Sequence, residues 1–227
     1  MQSPVTIIDI GAGLKGMYKR FLKHYPTIKI YAIEPHPNLA GKLRYSFASN
    51  SNVIVCECAI SETNATIDFY CANDPTSSSI LPIKYENARR WHTPPGRRWL
   101  APDKPAKVSV RSVTLDDFIE EHKIKRLDFI NIDVQGCAMN VLRSMKSPKS
   151  WDKLREINVK AHTIDFEMYQ GQSHNYEVVD FLKRKYLELK SIKHISRNQE
   201  DVLTFRNQLA DMRNWRFMDW NKVMLYL

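Results

Sequence analysis

Residues 9–16 read DIGAGLKG, and they follow the apolar run Val5-Thr6-Ile7-Ile8. Three of the chain's seven glycines fall in these eight positions. Glycine has no Cβ, so glycines gathered at a strand end let the backbone come close to a ligand. The pattern, a buried strand followed by a glycine-rich turn, is the opening of a nucleotide-type α/β unit.

Outward from this turn, strands and helices alternate. The apolar run at 5–10 suits a parallel strand buried on both faces. Met17, Phe21 and Leu22, interleaved with Lys19, Arg20 and Lys23, predict a short amphipathic helix ending at Tyr25-Pro26. Further strands are expected at 29–34, 52–60, 126–134, 154–162, 187–195 and 201–206, and an extra antiparallel one at 65–72. Helices are expected at 38–49, 114–122, 138–145 and 176–186. Thr114 is the N-cap of the second of these, with acids in its first turn. The alternation predicts a doubly wound, Rossmann-like α/β fold with a mostly parallel seven-stranded sheet, ending in an antiparallel hairpin.

Residues 73–107 break the rhythm. They hold six of the eleven prolines, the serines 77–79 and the cluster RRWHTPPGRRW. A long irregular insertion of this kind is usually functional or disordered, and it is read here as a substrate-side loop within one domain spanning 1–227. Residues 84–111 carry eight Lys/Arg against Glu86 and Asp103, so +6 of the net +9 is local. The cluster joins Arg90, Arg97 and Arg98 to Trp91 and His92; aromatic faces stack on sugars or bases, and arginine binds phosphates or acidic sugars. A solvated basic loop is the competing reading, and composition does not separate glycan from nucleic acid.

The bulk numbers set bounds. At 227 residues and 43% hydrophobic, one sizeable core can form. No apolar run reaches membrane-spanning length, and no basic-then-apolar leader opens the chain. The four cysteines, Cys56, Cys58, Cys71 and Cys137, lack metal-ligand spacing and are read as reduced core thiols. A cytoplasmic location is expected.

Gly11, Gly13 and Gly16 fit G-x-G-x-x-G, which also suits dinucleotides. Two carboxylates sharpen the choice. Asp9 stands at the mouth of the first strand, where it would repel a pyrophosphate but suit a cationic ligand such as S-adenosylmethionine. Glu34 ends the second strand, where it can accept hydrogen bonds from ribose hydroxyls. Helix capping for Asp9 and a surface position for Glu34 are the alternatives; the ordered pair favours S-adenosylmethionine over NAD.

With DIGAGLKG stand AIEPHPN (32–38), ECAIS (57–61), the serines 77–79, SVTLDDFI (112–119) and IKRLDFINIDVQG (124–136). In this order the chain resembles the FkbM-type methyltransferases of the class I S-adenosylmethionine-dependent fold, over about residues 5–145. The resemblance implies methylation of hydroxyls, often on sugars or glycosylated metabolites. It also implies cofactor contacts from Ala12 in the glycine turn, Pro35 after Glu34, and Ala59-Ile60 against the adenine with Ser61 beside it. The family's fourth-strand pattern often reads Lys-x-Asp-x-Glu-Gly, whereas here it is Asn131-Ile132-Asp133-Val134-Gln135-Gly136. Gln135 cannot act as a base and is a poorer ligand for a hard metal ion.

A sugar hydroxyl needs a base, or a metal to acidify it, before it attacks a methyl group. Strand C-termini hold the ligands in such sheets, which places Asp133 and His162 side by side as catalytic residues. Histidine titrates near neutrality, so His162 is read as base with Asp133 orienting it or the substrate, the roles being exchangeable; Asp133 also binds the cofactor. A helix cap for Asp133 and a solvated position for His162 compete. Ser78, Ser79, Gln135 and His174 join the basic cluster as substrate-side residues. Asp165 and Glu167 could join Asp133 around a metal, but no ligand spacing supports this and no metal is assigned.

Other functions stay open. The charge and the Arg-Trp loop suit an RNA 2′-O-methyltransferase, whose Lys-Asp-Lys-Glu tetrad Asp133, Lys160 and Glu188 would match loosely. A cofactor-binding module without catalysis is prompted by Gln135, and a dehydrogenase is a minor alternative. The C-terminal NWRFMDWNKVMLYL is read as a helix or strand packing against the core, with a dimer contact as the alternative.

Overall fold

The computed structural model of the chain describes residues 5–14, 18, 22–23, 25, 27–87, 106–195 and 199–208. The helix expected after the glycines and the C-terminal packing segment lie largely or wholly outside these residues.

The central sheet has seven strands: β1 (Thr6–Ile10), β2 (Lys29–Ile33), β3 (Val53–Cys56), β7 (Leu127–Ile132), β8 (Leu154–His162), β9 (Leu187–Ile195) and β10 (Glu200–Asn207). Their order is β3-β2-β1-β7-β8-β10-β9, and the neighbours pair in parallel except where β10 meets β8 and β9. The expected mostly parallel sheet and terminal hairpin are both present. Every residue of β1 and β7 is buried, as parallel strands covered on both faces require.

Helices α1 (Pro37–Phe47), α2 (Leu115–Glu121), α3 (Ala138–Ser144), α4 (Pro148–Lys153) and α5 (Asn175–Arg184) connect the strands. In α1, proline opens the first turn and Leu39, Ala40, Leu43 and Phe47 share the buried face. At α2, Thr114 Oγ1 accepts from the Asp117 backbone N–H at 3.1 Å, the expected cap. The main core joins Ile8, Ile130, Ile157, Leu203 and Phe205 of the sheet to Phe118, Val141 and Leu182 of the helices. All four cysteines are free thiols, and burial raises the pKa of each. Among the described residues no helix is long and apolar enough to cross a membrane.

Three differences from the sequence reading matter. The strand expected at 52–60 is two: β3 stays in the main sheet, and β4 (Ala59–Ile60) enters a small second sheet of order β4-β6-β5. The break comes at Glu57, whose charge pairs with Arg44 of α1 at the surface. Strand β6 (Ala106–Val113) was not foreseen, because exposed Lys107 and Arg111 mask its alternation. It is the antiparallel partner of β5 (Ala65–Cys71), some forty positions back along the chain. The third difference is the first half of the 73–107 segment, which is not an open loop. It forms short 3-10 turns at Pro75–Ser77 and Tyr85–Asn87, with bridges from Ser79 to Tyr70 and from Ile83 to Tyr169.

Candidate active site

The C-terminal ends of β1, β2, β7 and β8 open on a cleft of about 460 Å³. It lies beside the boundary between β1 and β7, where chain connections diverge and α/β sheets bind ligands. Gly11 sits at its floor with φ +79°; a Cβ there would lie 2.2 Å from the Asp133 carbonyl oxygen. The register of β1 against β7 causes this closeness, since the Asp133 N–H donates to the Ile10 carbonyl at 2.9 Å. Gly11 and Ala12 N–H groups both donate to the Ile33 carbonyl, so the glycine turn is strapped to the end of β2. Glu34 completes the strap: its Oε2 accepts from the Gly13 N–H and its Oε1 from the His36 N–H, each at 2.8 Å.

Gly11, Gly13, Glu34, Pro35, Ala59 and Ile60 line the cleft, together with Asp133, as the sequence suggested. Three expected cofactor residues stand elsewhere, and Gly16 lies outside the described residues. Asp9 is fully buried between β1 and β7, where its carboxylate accepts from the Tyr18 hydroxyl and, at 2.7 Å, from the Asn131 amide. It does not line the cleft; it anchors the strand from which the glycine turn springs. Burial, and then the Asp9 charge, push the Tyr18 hydroxyl well above its ordinary pKa, so it remains a donor. Ala12 is fully buried and contributes its backbone, while Ser61 donates its N–H to the Val113 carbonyl.

At the far end, four charged or titratable side chains meet. Lys160 and His162 lie two apart on β8 and share a face, and Glu200 begins β10 opposite His162. The Lys160 ammonium is 2.7 Å from Asp133 Oδ1 and 3.3 Å from Glu200 Oε1. Burial acts to lower the Lys160 pKa, but Asp133 and then Glu200 outweigh it, so the amine is held as a cation above its ordinary value. His162 is 3% exposed, and burial above all lowers it to about 4, with Glu200 opposing and Lys160 assisting. It is therefore neutral at physiological pH.

Asp133 and His162 thus line the same cleft, and Lys160, on the His162 face of β8, is in contact with Asp133. The sequence reading missed Glu200 as the second carboxylate. Glu188, its choice for an RNA-type tetrad, lies half-exposed on β9 and pairs with Lys190 at 2.7 Å. The signal for Glu200 was its place at the start of the hairpin's return strand, which antiparallel pairing sets against the end of β8.

The remaining wall comes from residues 75–80 and from Met168 and Tyr169. Ser78 and Ser79 line it while shaping it: Ser78 Oγ accepts from the Ala72 N–H, and Ser79 Oγ donates to the Gln135 carbonyl at 2.6 Å. Gln135 donates its amide to the Thr76 carbonyl at 3.0 Å, and Tyr169 its hydroxyl to the Ser77 carbonyl at 2.9 Å. Gly136, with φ +75°, admits the Tyr169 ring where a Cβ would press on it. His174 precedes α5, its ring stacked on Tyr176, and is not among the lining residues. Glu167 pairs with Lys84 at the surface instead of turning toward Asp133. Arg90, Trp91, His92, Arg97 and Arg98 lie outside the described residues.

Residues 9–188 match the model of the methyltransferase FkbM domain. The chain belongs to the FkbM methyltransferase family. It is an S-adenosylmethionine-dependent methyltransferase, as the resemblance implied. Among its relatives is the "2-O-methyltransferase NoeI" of Sinorhizobium fredii (strain NBRC 101917 / NGR234), 28% identical over 177 residues, or 78% of this chain and 70% of that one. Another is "Methyltransferase sdnD" of Sordaria araneosa, 28% identical over 173 residues, 68% of this chain and 65% of its own length. Among solved structures, a precorrin-6y C5,15-methyltransferase from Geobacter metallireducens GS-15 superposes with a TM-score of 0.48 at 13% identity, over 92% of this chain and 82% of that one.

The cleft fits the donor. Among the described lining residues Glu34, Asp133 and Glu200 are acidic and Lys160 alone is basic, an excess of negative charge suited to a sulfonium. Its volume falls in the usual range of small-molecule sites.

Proposed function

We propose that this methyltransferase acts on a hydroxyl of a sugar or glycan, with Asp133 accepting the hydroxyl proton and His162 orienting the acceptor. The observation that carries the proposal is the acceptor end of the cleft: a carboxylate one-third exposed at Asp133, in contact with a fixed ammonium, in a cleft that a neutral imidazole also lines. S-adenosylmethionine, when bound, supplies an electrophilic methyl group on a positively charged sulfur. Gly11, Gly13, Glu34, Pro35, Ala59 and Ile60 would hold it.

The chain's own residues then have a limited task. A hydroxyl becomes strongly acidic as its oxygen is alkylated, so an ordinary carboxylate in hydrogen-bond reach suffices as base. Lys160 cannot serve, being held protonated. Neutral His162 can hold a hydroxyl without adding charge. Holding the oxygen in line for attack contributes up to about 7–11 kcal/mol.

The negative excess favours an uncharged acceptor. At about 8 Å, each like charge repels a phosphate by roughly 2 kcal/mol at an effective dielectric constant near 20. The relative named a 2-O-methyltransferase supports transfer to oxygen at a numbered position. An RNA ribose hydroxyl is the second reading, favoured by the carboxylate–lysine–carboxylate set of Asp133, Lys160 and Glu200.

The experiment is transfer from isotopically labelled S-adenosylmethionine to oligosaccharide and RNA acceptors at low and moderate salt. The proposal expects label on a glycan hydroxyl, with Asp133→Asn inactive yet still binding S-adenosylhomocysteine. Label on RNA alone, with a steep loss as salt rises, sinks it.

A further inference from the structure

We propose that Lys160, clamped by Glu200, is a positioning residue for the transfer: it fixes the Asp133 carboxylate in the orientation that takes the acceptor's proton. This rests on the hydroxyl-acceptor reading above.

The arrangement is poorly explained as a stabilising device. Lys160 is 14% exposed in its side chain and Glu200 only 7%, and removing such charges from water carries a desolvation penalty that their attraction does not always repay. Well-packed apolar residues in their place are often neutral or stabilising. Lys160 nevertheless lies near the C-terminal end of β8 and Glu200 at the adjoining start of antiparallel β10, in the wall of the ligand cleft, where these sheets place chemistry. The cluster of Asp133, Lys160 and Glu200 draws on three neighbouring strands. Asp133 follows β7, Lys160 belongs to β8, and Glu200 opens β10, the strand that runs against the others.

The charge balance defines each role. Two carboxylates share one ammonium, so the cluster is net anionic toward a cationic donor. A lysine holding Asp133 without Glu200 would make a neutral pair, and its four-carbon stem would leave the ammonium free to swing into the cleft. There it would oppose the sulfonium and compete for the acceptor oxygen. Glu200 draws the ammonium back to the β10 side at 3.3 Å while its contact to Asp133 Oδ1 remains at 2.7 Å. The proton shed by the acceptor oxygen as it gains the methyl group passes to Asp133, and from there to water after product leaves. Lys160 keeps its own proton throughout.

The other titratable groups of the cleft leave this assignment intact. His162, on the same face of β8, is neutral. Cys137, just beyond β7, is pushed up to about 12 by burial, and Tyr169 across the cleft is raised by burial and then by Glu200; both stay protonated. Glu34, at the β2 end, has its carboxylate bonded to the Gly13 and His36 N–H groups.

The test uses Lys160→Met, Lys160→Arg and Glu200→Gln in the full chain, with S-adenosylhomocysteine binding as the check on folding. Two readouts are taken. The first is the Asp133 titration, followed by carboxyl carbon NMR in the protein without donor or acceptor, which is independent of what the acceptor is. Loss of the neighbouring cation moves that titration up by about 1–3 pH units in Lys160→Met, and Lys160→Arg restores most of it. The second is the pH–rate profile with an acceptor that the wild type methylates. Here kcat falls on the order of 100-fold in Lys160→Met, its acid limb moves to higher pH, KM for the donor changes little, and Lys160→Arg recovers part of the rate. If Lys160→Met fails to bind S-adenosylhomocysteine, Glu200→Gln decides: a wild-type kcat and pH profile in that variant overturns the proposal. An unmoved Asp133 titration in a folded Lys160→Met overturns it too. A wild type that methylates no hydroxyl would instead overturn the acceptor reading while leaving the titration result standing.

Discussion

Replacing Gly11 by alanine tests how tightly the glycine turn and the end of β7 are locked together. At Gly11 the new Cβ would start 2.2 Å from the Asp133 carbonyl oxygen, while real Cβ atoms keep at least 3.0 Å, so the two segments must part by about 0.8 Å. The left-handed backbone adds a cost of about 1–2 kcal/mol for a residue with a Cβ. Overpacking against backbone that is itself bonded to Ile10 adds about 1–3 kcal/mol. The sum of about 2–5 kcal/mol corresponds to a fall in Tm of roughly 4–20 °C for a chain of this size. Gly13 supplies the control, because its φ of +57° is also left-handed but nothing lies within 4 Å of its would-be Cβ. Gly13→Ala should therefore show only the backbone term, roughly 2–8 °C. Activity should separate the two variants further. A displacement near 1 Å at a reacting group can cost about 100-fold in rate, and only Gly11→Ala moves Asp133. Scanning calorimetry with and without S-adenosylhomocysteine, followed by kcat on a working acceptor, measures both effects. Equal losses of Tm and of kcat in the two variants would refute the close-approach argument.

Two other outcomes follow from the site. Glu34→Ala removes both acceptors of the Gly13 and His36 N–H groups and should weaken S-adenosylhomocysteine binding about 10–100-fold by calorimetric titration; an unchanged Kd would show that Glu34 only shapes the turn. His162 titrates at about 4 when folded and near 6.5 when unfolded. The unfolded chain thus binds the extra proton first. Stability from His162 is complete above about pH 6.5 and is lost as pH falls toward 4, by about 3 kcal/mol in all. Urea unfolding at pH 7 and near pH 4.5 should show a larger acid loss in the wild type than in His162→Gln, and equal losses would mean the imidazole is not buried neutral.

Much of this protein is written locally. The glycines at 11 and 13, the uninterrupted apolar strands and the Thr114 cap are neighbour-to-neighbour signals, and they were enough for the main sheet and for the glycine turn that lines the cleft. Glu34 was legible as a carboxylate ending β2, and the structure turns it to the cleft, where it accepts from the Gly13 and His36 N–H groups. Asp9 misled because position at a strand mouth does not say which face the side chain takes; in the sheet its carboxylate turned to Tyr18 and Asn131. Strand β6 was hidden because its pairing partner is distant in sequence and its charges are surface ones.

The sequence by itself determined the class of the enzyme, because the glycine turn and the ordered motifs along β1, β2, β4 and β7 are short-range patterns. Only the tertiary structure decided the charge arrangement at the far end of the cleft. Lys160 looked like one lysine among many until β8 was set between β7 and β10. That placement brought Asp133 and Glu200 to it from 27 residues before and 40 residues after along the chain. Coulomb interactions act through space, and the antiparallel return of β10 made that distance short.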